Sequence, residues 1–283
     1  MRVVVTGASG FIGRPVAEAL LARGATVLAL GRSDPHMRGV EFLPCDLLSD
    51  DPAAALVQAR AQILVHCAWD TTHGAFWTSP ANRDWLAATL RLAEAFRAGG
   101  GRRFVGIGSC AEYDWTCLPS DGVVAEAAPC NPATPYGQAK LEAFRQLCAL
   151  DGLALAWARL FLLHGPGEKA GRLVPSVLDA LRKGEPAKIA SGRPVRDFMT
   201  IEEAGQAIAA LALSQVDGAV NIGSGRPQSI LEFVMQIATE FGRPDLVAAG
   251  ALPDRPDDPP ALLPDLARLR REVGFGGHPR ARS

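Results

Sequence analysis

The chain has 283 residues, of which 48% are hydrophobic and 21% charged, a composition typical of a folded globular protein. This composition excludes a disordered chain, a collagen and a coiled coil. The 29 basic and 30 acidic residues leave a net charge of -1, so no overall field favours a nucleic acid or an anionic membrane as a partner.

No apolar segment of the sequence is long enough to predict a membrane span. The longest, 153–164, is interrupted by Arg159 and is shorter than the roughly 20 residues that cross a bilayer. The N-terminus leads directly into the apolar residues 3–5, without the charged and apolar regions of a signal peptide. We therefore expect a cytoplasmic protein with no membrane partner.

The six cysteines are expected to be reduced thiols, most of them small core residues. No Cys-x-x-Cys pair occurs, and no pair of histidines at ligand spacing accompanies the cysteines. Because protein zinc sites are usually built from such groups, we expect no metal site.

The first thirty residues predict a strand, a turn, a helix and a second strand. Residues 2–6 form a short apolar run typical of a buried parallel strand. Apolar residues then recur at helical spacing from Ile12 to Leu20, and Gly24 is a natural helix C-cap. A second apolar run covers 26–30. This arrangement is the unit that binds a dinucleotide.

The turn before the helix, residues 6–13, carries three glycines in the spacing GxxGxxG. Gly7 allows a tight turn, Gly10 lets a pyrophosphate approach the helix N-terminus, and Gly13 lets the helix pack close to the sheet. A purely structural glycine turn is the alternative interpretation, which the flanking strand and helix disfavour. The predicted cofactor contacts in this turn are Gly7, Ser9, Gly10, Phe11, Ile12 and Gly13.

The residue after the second strand predicts the kind of cofactor. NAD enzymes usually place an acid there for the ribose 2′-hydroxyl, whereas an arginine accommodates a 2′-phosphate. Arg32 follows Gly31 directly, and the first carboxylate is that of Asp34. We therefore favour NADP(H), with NAD(H) as the alternative. The other interpretation of Arg32 is a solvated loop arginine.

Further apolar runs of strand length follow along the chain. They cover 40–43, 63–68, 104–108, 153–160 and 219–222. A helical pattern over 85–97 lies between two of them, and this alternation predicts an α/β fold with a doubly wound parallel sheet of the Rossmann type. The segment 252–264 is rich in Pro and Asp and is predicted to be irregular, and 266–273 is predicted to be a short terminal helix.

Tyr136 and Lys140 are the first candidates for catalysis. They follow Thr134 and Pro135, which suit the cap and the first position of a helix, and their spacing of four places both on one helix face. A free tyrosine has a pKa of about 10, and a neighbouring ammonium can lower it enough for acid–base work. The alternative is a surface tyrosine and lysine on an amphipathic helix.

Ser109 is the third candidate, because it follows the apolar run 104–108 at the strand end where open parallel sheets place ligands. Its hydroxyl could hydrogen-bond a reacting carbonyl oxygen beside Tyr136, although a strand-end turn serine is the alternative. We predict that Ser109, Tyr136 and Lys140 are catalytic and that Tyr136 and Lys140 also contact the cofactor.

Together these residues resemble the extended short-chain dehydrogenase/reductase family, in its branch of NAD(P)-dependent sugar-nucleotide epimerases, dehydratases and reductases. The resembling segments are 6–13, 45–47, 66–68, 109–113, 136–140, 165–167, 172–175, 196–202 and 220–225. The resemblance implies a dinucleotide-binding domain over 1–162, to which 195–224 returns. It also implies a smaller C-terminal substrate-binding domain made of 163–194 and 225–283.

The resemblance implies further ligand contacts. Asp46 and Leu47 would lie against the adenine, and Ala68 would lie near the nicotinamide. The substrate, a nucleotide-linked sugar, would contact Trp69, Ser109, Arg172, Arg196 and Arg255. Arg196 would bind its diphosphate, since guanidinium groups grip phosphate oxygens bidentately. The family also implies a homodimer.

Departures from the family pattern discriminate among its activities. Dehydratases carry acids one or two positions after the catalytic Ser or Thr, where this chain has Cys110 and Ala111. The 3,5-epimerising members have a cysteine two positions after the serine, whereas Cys110 is one position after Ser109. Trp85 and Leu162 replace asparagines that often occur in the family, which bears on the substrate contacts.

These observations favour a 4-ketoreductase that uses NADPH on a nucleotide-linked keto-deoxysugar. An NAD-dependent sugar-nucleotide 4-epimerase is the alternative, and a dehydratase or a non-catalytic NADP-binding protein is disfavoured. His66 and His73 could contact substrate or be satisfied polar residues at a strand end. Four tryptophans could line a sugar pocket by stacking or could pack in the core. They are Trp69, Trp77, Trp85 and Trp115.

Overall fold

The computed structural model describes residues 1–72 and 74–276. Its strands are β1 (Arg2–Thr6), β2 (Thr26–Gly31), β3 (Val40–Pro44), β4 (Ile63–His66), β5 (Arg103–Ser109), β6 (Val123–Val124), β7 (Ala154–Leu160), β8 (Leu162–His164), β9 (Ala187–Lys188), β10 (Val195–Thr200), β11 (Gly218–Ile222), β12 (Pro227–Ser229), β13 (Val247–Ala248) and β14 (Ala261–Pro264). Its α-helices are α1 (Gly13–Ala22), α2 (Ala53–Ala59), α3 (Ala81–Ala98), α4 (Pro135–Cys148), α5 (Leu173–Lys183), α6 (Ile201–Leu213), α7 (Ile230–Glu240) and α8 (Ala267–Arg271).

The main sheet has seven parallel strands in the order β11-β7-β5-β4-β1-β2-β3. The predicted apolar runs are its strands, with ends that differ by at most two residues. The strand order reverses direction between β1 and β4, and ligands of open α/β sheets bind at such a point, outside the carboxyl ends of the strands. The predicted doubly wound α/β fold is confirmed.

Both faces of this sheet are covered by helices, which explains why its strands are apolar throughout. Val3 and Val5 of β1 are buried with apolar residues of α1 and α6. Val4 points to the opposite face, where residues of α2, α3 and α4 form a second core with Leu64 and Phe104. Each face therefore has its own hydrophobic core, and together the two cores fix the carboxyl edge of the sheet.

The remaining strands form smaller sheets. β10 pairs with β8 and β14 in parallel and with β12 antiparallel, and β14 also pairs with β6. β9 and β13 form a separate two-stranded sheet. α5 and α7 pack around a third core that includes Val177, Leu181 and Val234. Within the segment 195–224, β10 thus belongs to a smaller sheet. By contrast, β11 is an edge strand of the main sheet, and α6 packs on one face of that sheet.

The expectation about the tail needs correction. The segment 252–264 is not irregular to its end, because its last four residues form β14. Pro264 has no amide hydrogen, but the strand does not need one there. The Leu263 amide donates to the Gly122 carbonyl at 2.8 Å, and the Asp265 amide donates to the Val124 carbonyl of β6 at 2.9 Å. The terminal helix is confirmed as α8, and the helix predicted over 85–97 begins earlier, at Ala81.

All six cysteines are free, but only two of them are buried core residues. Cys45 and Cys110 are buried, whereas Cys117 and Cys148 are exposed. Cys148 ends α4, and Cys117 lies in a short 3-10 helix in the loop after β5. Cys67 and Cys130 are half-buried and pack against hydrophobic cores, so four of the six cysteines lie in or against a core, and the two exposed ones depart from the expectation.

No helix within the described ranges is both long and apolar enough to cross a membrane. In the same part of the chain, no group of three or more His, Cys, Asp or Glu side chains is placed to hold a metal ion.

Candidate active site

The glycine turn between β1 and α1 lies at the point where the strand order reverses. Gly7 has a φ of 67°, in the left-handed region that glycine adopts without strain. A Cβ atom on Gly13 would lie 2.1 Å from the Gly7 carbonyl oxygen, so α1 can begin this close to the turn only with glycine there. A Cβ on Gly7 would lie 2.9 Å from the Ala68 amide nitrogen, which places Ala68 against the turn.

The N-terminus of α1 offers donors to an anion. Within the described residues, the amides of Phe11 and Ile12 donate no hydrogen bond to another protein group, and Ser9 and Gly10 are exposed beside them. Free amides at a helix N-terminus suit a phosphate group. This donor set fits the pyrophosphate of a dinucleotide.

The loop after β2 presents basic rather than acidic groups. Arg32 is exposed, and its side chain forms no hydrogen bond or ion pair within the described part of the chain. The carboxylate of Asp34 accepts the His36 amide at 2.7 Å and so closes its own turn. Arg14 of α1 reaches this loop and donates to the Pro35 carbonyl at 2.5 Å. Two guanidinium groups therefore lie around this loop.

Asp46 and Leu47 follow β3. Leu47 is buried in the core under α3, and its carbonyl accepts a hydrogen bond from Arg91 at 3.1 Å. Asp46 uses its carboxylate within the turn, accepting the Leu48 amide at 3.1 Å. Their contact with an adenine stays a prediction.

Tyr136 and Lys140 lie on α4, as the sequence predicts. Thr134 caps the helix by accepting the Gly137 amide at 3.2 Å, and Pro135 occupies its first turn. Gly137 lets α4 approach the residues after Ser109, because a Cβ there would lie 2.4 Å from the Ala111 carbonyl oxygen. The close approach brings Tyr136 to the end of β5.

The Ser109 hydroxyl lies near the Tyr136 phenol, close enough to affect its pKa. Burial raises the pKa of Tyr136 above its ordinary value and the charge of Glu112 adds to this, whereas Ser109 and the Arg172 guanidinium oppose it. Ser109 also accepts the Ala111 amide at 3.2 Å. The structure therefore places two of the three predicted catalytic residues near each other at the end of β5.

Lys140 is buried on the same side of the site but does not reach the phenolic oxygen. Its Nζ donates to the Ile107 carbonyl at 2.8 Å and lies 3.7 Å from the centre of the Trp69 ring and 5.9 Å from that of Tyr136. Burial lowers the pKa of Lys140 to about 7, and the Glu112 carboxylate opposes this lowering most strongly, followed by Cys67. The pKa of Tyr136 is thus raised, not lowered by Lys140 as the sequence predicts, because burial is the dominant cause.

Three aromatic side chains enclose Tyr136. Phe76, Trp77 and Trp69 have ring centres 4.9, 5.7 and 6.4 Å from that of Tyr136, all edge-on. The Trp77 carbonyl accepts the Tyr136 amide at 3.1 Å, which fixes the segment before α3 onto the start of α4. Of the other tryptophans, Trp85 is a core residue stacked on Trp69. Aromatic residues therefore form one wall of the site.

His66 is a satisfied polar residue. Its Nδ1 lies 2.8 Å from the Thr6 hydroxyl and its Nε2 lies 2.9 Å from the Thr89 hydroxyl. Thr89 donates to the Trp85 carbonyl, so its hydroxyl oxygen accepts from Nε2–H, and in the neutral ring Nδ1 accepts from the Thr6 hydroxyl. Burial, followed by the charge of Lys140, lowers the pKa of His66 to about 3. The other histidine considered, His73, lies outside the described residues.

The predicted substrate arginines are placed differently from one another. Arg172 forms an ion pair with the largely buried Glu168 at 3.2 Å. The charge of Arg172 also acts to lower the pKa of Tyr136. Arg196 is buried, donates to Asp258 at 2.6 Å, and affects the pKa of Cys110, which burial raises to about 12. Arg255 is exposed and its side chain has no polar partner among the described residues.

Comparisons with known proteins decide the family. A model of the NAD dependent epimerase/dehydratase family matches residues 3–223. The chain belongs to this family. The predicted resemblance is confirmed, and the protein is an NAD(P)-dependent enzyme of the extended short-chain dehydrogenase/reductase type.

The relatives include sugar-nucleotide epimerases and dTDP-sugar 4-dehydrogenases. A UDP-glucose 4-epimerase from Mycolicibacterium smegmatis is 29% identical over 95% of this chain and 89% of its own length. A dTDP-6-deoxy-L-talose 4-dehydrogenase (NAD(P)(+)) from Kitasatospora kifunensis is 30% identical over 89% of this chain and 83% of its own length. The solved structure of MoeE5 in complex with UDP-glucose and NAD has a TM-score of 0.82 and 28% identity, covering 99% of this chain and 94% of that one.

Within this family frame, sequence reasoning missed two groups at the site. Glu112 is completely buried next to Ser109, whose amide donates to it at 2.8 Å. The spacing Ser109-x-x-Glu112 is that of a capping box, and this signal could have identified the contact. The second group is Glu168. One of its carboxylate oxygens is buried without a hydrogen-bond partner in the described part of the chain. No local sequence pattern predicts this position.

Proposed function

We propose that this enzyme reduces a keto group, at C4, of a nucleotide-linked keto-deoxysugar with NADPH. The observation that carries the proposal is the placement of Ser109 and Tyr136 near each other at the carboxyl end of β5, beside Lys140. Two hydroxyls can bind one carbonyl oxygen and stabilise the negative charge that develops on it. Cys110 and Ala111 supply no acid where a dehydratase needs one, so reduction without elimination is the simpler chemistry.

The cofactor side supports NADPH. NADPH, when bound, supplies the hydride. The free amides at the start of α1 would hold its pyrophosphate, and Arg32 would hold the 2′-phosphate. Arg14 extends into the same loop, and the Asp34 carboxylate is engaged in its own turn rather than open to a ribose hydroxyl.

Each catalytic side chain has a separate task. Tyr136 donates its phenolic proton to the carbonyl oxygen as that oxygen gains charge, and Ser109 donates a second hydrogen bond to it. The raised pKa of Tyr136 keeps the phenol protonated and therefore able to donate. Lys140 supplies the positive charge that stabilises the resulting phenolate, and binding of ligands must turn its Nζ from Ile107 towards the phenol.

The substrate side is built from basic and aromatic groups. Arg172 lies near Tyr136 and would bind the substrate diphosphate, with Trp69 against the sugar. Arg196 would join Arg172 by exchanging its bond to Asp258 for one to a phosphate oxygen. The K. kifunensis relative, which is named for a dTDP-linked 6-deoxysugar, supports this substrate class.

A sugar-nucleotide 4-epimerase is the second candidate, and the 29% identity to a UDP-glucose 4-epimerase favours it. Such an enzyme would use the same three catalytic residues but keep its NAD bound and consume no external NADPH. Cofactor demand therefore separates the two candidates.

The test is the absorbance of reduced nicotinamide with a panel of nucleotide-linked 4-keto-6-deoxysugars, using NADPH and NADH in parallel. The reductase proposal expects loss of NADPH absorbance with one member of the panel. No loss with any member, together with NAD released from the denatured protein, would overturn it in favour of the epimerase.

A further inference from the structure

A buried carboxylate, that of Glu112, lies directly behind Ser109. Its Oε1 accepts the Ser109 amide at 2.8 Å and the Trp157 indole at 2.9 Å, and its Oε2 accepts the Arg159 guanidinium at 2.8 Å. All three partners are donors, so an ionised carboxylate, which only accepts, satisfies them. One negative charge is thus fixed beside the predicted catalytic serine.

The fold builds this pocket from two neighbouring strands. β7 runs beside β5 in a register that pairs Gly106 with Trp157 and Gly108 with Arg159. A Cβ on Gly108 would lie 2.2 Å from the Trp157 indole nitrogen and 2.4 Å from Glu112 Oε1. The glycine therefore leaves the space in which the carboxylate and the indole meet.

Lys140 is the second group that Glu112 affects. The lysine side chain is almost completely buried, and burial lowers its pKa to about 7. Lys140 Nζ donates to the carbonyl of Ile107 at 2.8 Å, and a Cβ on the next residue, Gly108, would lie 2.4 Å from Glu112 Oε1, so the carboxylate lies close to the ammonium. Its charge opposes the lowering of the Lys140 pKa most strongly, followed by Cys67. A buried ammonium needs a fixed anion nearby to remain charged.

Three other titratable groups around Lys140 carry no charge near neutral pH. His66, at the end of β4, is neutral because burial lowers its pKa to about 3. Burial raises the pKa of the Cys67 thiol to about 12, and it also raises that of Tyr136 on α4 itself. Arg159 is charged, but it faces Glu112 from β7. Glu112 is therefore the anion that acts on Lys140.

We propose that Glu112 is a positioning residue for this reaction, which fixes the main chain of Ser109 and supplies a buried negative charge to the Lys140 ammonium. The inference rests on the proposed function, in which Ser109 and Lys140 both act at the carbonyl oxygen. It predicts that neutralising Glu112 changes the titration of a residue on a different element, an effect that a merely structural side chain would not have.

The first test needs no substrate. The chain has four lysines, so protein labelled with lysine carrying ¹³C at Cε gives few signals, and Lys140→Arg assigns the one of interest. In Glu112→Gln we expect Lys140 to titrate about one pH unit lower than in the wild type, which corresponds to a tenfold change in its proton affinity.

Glu112→Gln leaves Arg159 buried without its partner and can unfold the chain for that reason alone. Glu112→Gln/Arg159→Met removes both charges and is the folding control, monitored by circular dichroism and the urea midpoint. We expect Lys140 to titrate at the same lowered pH in this double variant. In Glu112→Asp, which keeps the negative charge, we expect Lys140 to titrate as in the wild type. A folded double variant whose Lys140 titrates as in the wild type would overturn the proposal.

Kinetics provide the second readout. The protonated form of Lys140 is the active one, so activity is lost as the pH rises through its pKa, and a lower pKa moves this loss to lower pH. We expect kcat of both neutral variants to fall at lower pH than kcat of the wild type. If the wild type reduces no nucleotide-linked keto sugar, the proposed function fails, whereas the lysine titration still tests Glu112.

Discussion

Gly13 is the position where the geometry of the cofactor turn can be tested most directly. An added Cβ would lie 2.1 Å from the Gly7 carbonyl oxygen and 2.6 Å from its carbonyl carbon. Ordinary contact begins at 3.4 Å, so the methyl group of Gly13→Ala overlaps rigid backbone by more than an ångström. Gly7 cannot retreat, because the backbone of Ala68 lies directly behind it. The start of α1 must therefore move away from the turn.

Two opposing effects determine the size of the loss. Overpacking of a tight contact costs about 1–3 kcal/mol, and the higher helix propensity of alanine returns at most about 1 kcal/mol. We expect the free energy of unfolding of Gly13→Ala to fall by about 1–2 kcal/mol. Because the displaced amides of Phe11 and Ile12 would no longer meet a pyrophosphate, the Kd for NADPH should rise about tenfold or more, which is about 1.4 kcal/mol.

The assays are urea unfolding followed by tryptophan fluorescence and a fluorescence titration with NADPH. Gly31→Ala is the matched control, because a Cβ there meets no atom within 4 Å. Its unfolding midpoint should stay close to that of the wild type. If Gly13→Ala unfolds at the wild-type urea concentration and binds NADPH with unchanged Kd, the close contact between α1 and the turn does not have the role argued above.

Two further substitutions test the chemistry and the cofactor. Tyr136→Phe removes only the phenolic hydroxyl, so kcat should fall at least about 100-fold while the Kd for NADPH changes little; turnover comparable to that of the wild type would contradict the proton-donor role. Arg32→Asp replaces the 2′-phosphate partner by an acid suited to a ribose hydroxyl, and it should weaken NADPH binding about tenfold or more relative to NADH. An unchanged ratio of the two Kd values would contradict the assignment of Arg32.

The main sheet was predictable because its strands are buried on both faces. Burial of this kind leaves continuous apolar runs, and each run is short enough to exclude a long helix. The start of α4 was equally predictable, since Thr134 and Pro135 have local preferences that need no distant partner. The smaller sheets were not, because strands such as β6 and β9 have two residues each and are defined by their partners rather than by a pattern.

The same distinction holds within the site. Tyr136 and Lys140 are recognisable because a helix converts a spacing of four into a shared face. The pair Arg196–Asp258 joins residues 62 positions apart, and Glu112–Arg159 joins residues 47 positions apart. No local preference encodes such pairs, so the partner of each buried charge becomes visible only in three dimensions.

This division also explains why family membership defines the chemistry better than the substrate. The cofactor turn, Ser109 and the Tyr136–Lys140 pair are attached to the main sheet and α4, whose positions follow from two large hydrophobic cores. Arg172 and Arg196 lie instead at the start of α5 and on β10, beside the smaller sheets. We therefore expect substrate choice to depend on the smaller sheets, whereas the proposed catalytic residues depend on the main sheet and α4.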